Sequence, residues 1–88
     1  MERDVALVKA AIVSKLVRWN KWGGAHTENI LSGIPRHLRG TKEAKHALKE
    51  LVQSGWLIVA VKTKELHYSL NPEKAAEILT FYGEQSKE

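Results

Sequence analysis

Hydrophobic residues near the start of the chain recur at a helical interval. Val5, Val8, Ile12, Leu16 and Trp19 fall on one face at about 100° per residue, and neither Gly nor Pro interrupts the run from Val5 to Trp19. The spacing predicts a helix over residues 4–20 with Asp4 as its N-cap. A second set, Ala6, Ala10, Val13 and Val17, lies beside the first. Together they cover an arc of roughly 200°, wider than an ordinary apolar stripe, so something beyond one small core is expected to pack there.

After Gly23-Gly24 the pattern shortens. Thr27 reads as the N-cap of a short helix over 28–32 with Ile30 and Leu31 inward, and Gly33-Ile34-Pro35 stops it. Residues 35–40 form a basic connector. A third helix is expected over 41–54, capped by Thr41, with Ala44, Ala47, Leu48, Leu51 and Val52 in an i, i+3, i+4, i+7, i+8 stripe. Gly55 stands where a left-handed C-terminal residue is wanted.

From Trp56 the signal changes to strand. Trp56 to Val61 is rich in β-branched and aromatic residues, and Leu66, Tyr68 and Leu70 alternate with His67 and Ser69. A hairpin over 56–70 follows, with its turn at 62–65. Asn71-Pro72 opens a last helix over 72–83, with Ala75, Ala76, Leu79 and Tyr82 along one side and Ile78 and Phe81 pointing elsewhere. The fold class is α+β: mainly helical with a β-hairpin, one domain over 1–88.

Composition narrows the chemistry. With 88 residues there is room for one core, and the absence of cysteine excludes disulfides and thiolate metal sites. No apolar run is long enough to span a bilayer. Met1-Glu2-Arg3-Asp4 has none of the features of a secretory leader, so a cytoplasmic location is expected. The four histidines share no ligand spacing, no serine sits in a nucleophile motif, and there is no glycine-rich phosphate loop. Neither an enzyme, nor a metal, nor a cofactor, nor a small-molecule ligand is implied.

Charge is more informative in its distribution than in its total of +4. From Lys9 to Lys64 there are eleven Lys/Arg against three Glu, whereas from Glu65 onward there are two Lys against five Glu. Such asymmetry suits one face to a polyanion. On the third helix, Lys42, Lys45, His46, Lys49 and Gln53 fall on the side away from the apolar stripe, with Glu43 and Glu50 together on a flank. Arg36, His37 and Arg39 lie just before that helix, beside backbone N–H groups that favour phosphate. Lys62 and Lys64 sit at the hairpin tip, as a phosphate contact or as ordinary edge protection. Trp19 and Trp56 read as core residues, and Trp22 is left open between core and surface.

The segments Thr27-Glu28-Asn29-Ile30, Gly33-Ile34 and Ala44-x3-Leu48-x2-Leu51-x3-Gly55-Trp56-Leu57-Ile58 resemble the winged helix-turn-helix superfamily, in particular small bacterial and archaeal repressors. His67-Tyr68-Ser69-Leu70-Asn71-Pro72 is similar to its second wing strand and the entry to a C-terminal helix. The likeness covers roughly residues 5 to 82. It implies a recognition helix at 41–54 lying in a major groove of double-stranded DNA, with the hairpin as a wing and a role in transcription regulation. Nucleic-acid contacts would then fall to Arg36, His37, Arg39, Thr41, Lys42, Lys45, His46, Lys49, Gln53, Lys62 and Lys64. The 35–40 connector departs from the pattern, lengthening the turn before the recognition helix by about five residues.

In such repressors the terminal helices commonly pack against a twin subunit. The resemblance therefore implies a homodimer with Ala6, Ala10, Val13, Val17, Ile78 and Phe81 at its interface, the alternative being that the last helix covers the first within one chain. Two other functions compete with duplex binding: a winged-helix module for protein–protein interaction, and a binder of RNA or single-stranded nucleic acid.

Overall fold

A computed structural model describes residues 2–23, 28–29, 34, 36–62 and 65–85. Among these the chain forms three α-helices and a three-stranded antiparallel sheet, an α+β arrangement. Helix α1 spans Glu2–Arg18, so Asp4 lies inside the helix rather than at its cap. Its stop comes from Asn20, in the left-handed region at φ 56°. The Asn20 and Lys21 N–H groups donate back to the carbonyls of Val17 and Leu16, at 3.1 and 2.9 Å. This is the Schellman ending, with Asn taking the place usually given to Gly.

Helix α2, Lys42–Gln53, is begun by Thr41, whose hydroxyl accepts from the Ala44 N–H. It closes as the spacing anticipates: Gly55 adopts φ 83°, and the Gly55 and Trp56 N–H groups return to the carbonyls of Val52 and Leu51. Strands β2 (Leu57–Lys62) and β3 (Glu65–Leu70) form the expected hairpin, in register from Leu57↔Leu70 to Lys62↔Glu65.

The expected helix at 28–32 is corrected. Glu28–Asn29 is a short strand, β1, paired antiparallel with Tyr68 and His67, while 30–32 lie outside the described residues. The cause is non-local. β3 is the middle strand, in the order β1-β3-β2, and its second edge needs backbone partners. Trp22 extends that edge by bridging Leu70, with Leu70 N–H donating to Lys21 at 2.8 Å and Gly23 N–H to Leu70 at 3.0 Å.

Asn71 and Pro72 start the last helical segment with a single 3-10 turn, Pro72–Lys74, continued by α3, Ala75–Gln85. The inner face of α3 differs from expectation. Ile78 is fully buried and Phe81 and Tyr82 pack half-buried against the core, while Ala76 and Leu79 are exposed. Apolar residues occur nearly all round this helix, and the side offering the larger combined surface turns inward.

The core gathers Val5, Val8, Ile12, Val13 and Leu16 of α1, Ala44, Ala47 and Leu51 of α2, Leu57, Tyr68 and Leu70 of the sheet, Ile78 of α3, and Ile34 and Leu38 of the connector. α1 is thus covered on two sides, by α2 and by α3. That accounts for the wide apolar arc within one chain. Val13 and Ile78 are at 0% exposure and Val17 packs against the core, so the six-residue dimer interface expected from sequence does not exist as one surface. Of the six, Ala6 is exposed and Ala10 is half-buried.

Candidate nucleic-acid interface

The connector is built to turn its basic residues outward. Ile34 and Leu38 are each 5% exposed and anchor the segment, while a 3-10 turn over Arg36–Leu38 carries Arg36 and His37 on its outer side. Arg39 is exposed as well, and its Nε donates to the Ile34 carbonyl at 3.0 Å. Gly40, at φ 80°, reverses the chain into α2. Thr41 is committed to that junction, because its hydroxyl donates to Leu38 (2.6 Å) and accepts from the Ala44 N–H (3.2 Å). Its place among the sequence-derived contact residues is therefore a capping role.

On α2 the inner stripe is buried at Ala44, Ala47 and Leu51, and Lys42, Lys45, His46, Lys49 and Gln53 are all exposed. The acidic flank is not idle. Glu50 is paired with both Lys9 of α1 and His46. The hydrogen bond from Lys9, aided by the charges of Lys9 and His46, holds the Glu50 carboxyl below its ordinary range despite some opposing desolvation. His46 is thus drawn toward Glu50, away from the lysines. Among the described residues no carboxylate pairs with Lys42, Lys45 or Lys49. Of the two hairpin lysines, only the backbone of Lys62 is described, and Lys64 lies outside the described residues.

Two features escaped the sequence reading. Trp19, expected in the core, is 57% exposed and lies over the Lys15 ammonium, 4.3 Å from the ring centroid. Its periodic position is on the core side, but it is the last residue before left-handed Asn20, where the helix has already ended. A groove of about 480 Å³, lined by Lys9, Glu50, Gln53, Ser54, Trp56 and Phe81 among others, opens between α1, α2 and α3. Trp56 and Phe81 meet edge to face at 5.5 Å, which places Trp56 half-buried against the core. Trp22 also packs half-buried there.

No group of three or more His, Asp or Glu side chains is placed to hold a metal among the described residues. Nor is any described helix long and apolar enough to cross a membrane. Comparison of the chain with protein-family models, with curated proteins and with solved structures finds no match.

Proposed function

We propose that the chain is a winged-helix DNA-binding protein, a transcriptional regulator that engages duplex DNA through α2 and the connector before it. The observation that carries this reading is the outer face of α2, where Lys42, Lys45 and Lys49 are exposed and, among the described residues, unpaired with any carboxylate. At 12 residues α2 is about 18 Å long, short enough to lie in a major groove. Lysines along it meet phosphates on either wall, and Gln53 on the same face suits an adenine edge. Arg36 and His37 add cationic and hydrogen-bonding groups in the turn before α2, a helix whose N-terminus favours phosphate.

A second reading, binding of RNA or single-stranded nucleic acid, is favoured by one observation: an exposed Trp19 backed by a lysine, beside Arg18 and Lys21, is the kind of platform on which a base stacks. One panel separates the two: random duplex and single-stranded oligonucleotides at two salt concentrations. With about five phosphates neutralised, duplex affinity should fall with a log–log salt slope near −4.5. The double variant Lys45→Ala, Lys49→Ala should make that slope shallower by about 1.8. Duplex affinity indifferent to salt and to both lysines removes the first reading. Tighter binding to single strands that is lost with Trp19→Ala promotes the second.

A further inference from the structure

The hairpin carries an interaction surface of a different kind. β2 is an edge strand, and among the described residues its outer backbone edge is unpaired. Edges are commonly protected by proline, charge or a bulge. β2 has no proline and carries its one charged residue, Lys62, at the tip end, leaving Leu57-Ile58-Val59-Ala60-Val61 uncharged, and its pairing with β3 runs in unbroken register. Leu57, Val59 and Val61 share one face of the sheet with their cross-strand partners Leu70, Tyr68 and Leu66. Exposure rises along that face toward the tip: Leu57 is 4% exposed, Val59 41%, Leu66 51% and Val61 74%. Three of the six exposed large hydrophobic side chains among the described residues are therefore gathered here, a patch rather than a scatter.

We propose that this edge pairs antiparallel with β2 of a second copy, about a twofold axis through Val59. Self-complementarity selects the occupant. In an antiparallel pair, directly opposed residues point to the same face. The register that sets Val59 against its twin sets Val61 against Leu57 of the second copy. Each exposed tip is thereby brought to the covered base of the other hairpin, where α1 and α2 flank the sheet. Parallel pairing would align tip with tip and bring no covered base to Val61. The contact is isologous, as a twofold dimer requires. A strand this short buries less than a standard interface, so dimerisation is concentration-dependent. Both copies carry +4, so added salt strengthens it, opposite to the effect of salt on duplex binding.

The absence of cysteine allows a direct test. Sedimentation equilibrium from micromolar to millimolar protein should show the mass rising from 9.9 kDa toward twice that value, further at high salt. The Val61→Lys variant should stay monomeric over the same range with an unchanged circular dichroism spectrum. On mild oxidation Val59→Cys should yield a disulfide-linked dimer, and Thr80→Cys, exposed on α3, should not. A wild-type chain that remains monomeric at the highest concentration overturns the proposal. So does a dimer that survives Val61→Lys, or equal crosslinking at both cysteine positions.

Discussion

Asn71 ties the beginning of the last helical segment to the end of α2, its Nδ2 donating to the Gly55 carbonyl at 2.8 Å. The other end of the same amide accepts the Glu73 N–H at 3.0 Å, and the Asn71 backbone N–H reaches the Trp56 carbonyl. One side chain thus caps one helical segment and closes the turn after another. Asn71→Ala loses both bonds and is expected to cost about 1–2 kcal/mol. In a domain of this size that is a fall of several degrees in Tm, on the order of 4–8 °C per kcal/mol. Asn71→Asp keeps the cap but sets an acceptor against the Gly55 carbonyl, so it too should be destabilised. Thermal unfolding of the two variants checks this, and an aspartate variant as stable as wild type would show that the Gly55 bond contributes nothing.

The contrast between α2 and α3 shows what local pattern carries. In α2 a polar face opposes a clean apolar stripe, Thr41 and Gly55 mark the ends, and the helix, its caps and its exposed lysines were all legible. In α3 apolar residues at 75, 76, 78, 79, 81 and 82 leave the phase undetermined, and only packing against α1 makes Ile78 the inward residue. β1 has two residues and no periodicity, so its pairing depends on β3, some forty residues away. Trp19 fits the α1 stripe by spacing, yet the left-handed Asn20 beside it decides its exposure. The apolar edge of β2 was visible as a strand, but which end of it the helices leave uncovered is set by tertiary structure.

The orientation of α3 has a sharp mutational signature. Ile78 is fully buried and its neighbour Leu79 is 47% exposed. Ile78→Ala should cost about 2–5 kcal/mol through lost burial and the cavity left behind. Leu79→Ala should fall within about 0.5 kcal/mol of wild type. Urea unfolding of both variants decides the matter, and the reverse ranking would mean that the helix faces the other way.

Ser69 is at 0% exposure, and its hydroxyl has no hydrogen-bond partner among the described residues. A buried, unpaired hydroxyl costs about 1–3 kcal/mol in lost hydration. Ser69→Ala, which removes the oxygen and leaves the β3 backbone pairing intact, is expected to be neutral or stabilising by up to about 1 kcal/mol. A clear loss of stability, measured by denaturant midpoint, would mean that the hydroxyl is bonded after all.

The Lys9–Glu50–His46 cluster predicts a response to acid. The Glu50 carboxyl is held below its ordinary value near 4.5, chiefly by the Lys9 hydrogen bond. A carboxyl with a depressed pKa in the folded state favours folding above its unfolded pKa, and that contribution disappears as pH falls through the folded value. Stability of the wild type should therefore drop below about pH 4.5 more steeply than that of Glu50→Gln, and the difference between them should vanish under strong acid. Because the pair is solvent-accessible, added salt should shrink the gap at neutral pH. The same substitution frees Lys9 and removes an anion from the flank of α2. If α2 contacts duplex DNA, Glu50→Gln should bind it more tightly at low salt while unfolding more easily at pH 6. Chemical denaturation across pH 3–7, run beside a duplex titration, reads both effects in one variant. Parallel pH profiles for wild type and Glu50→Gln would show that the cluster does not couple α1 to α2.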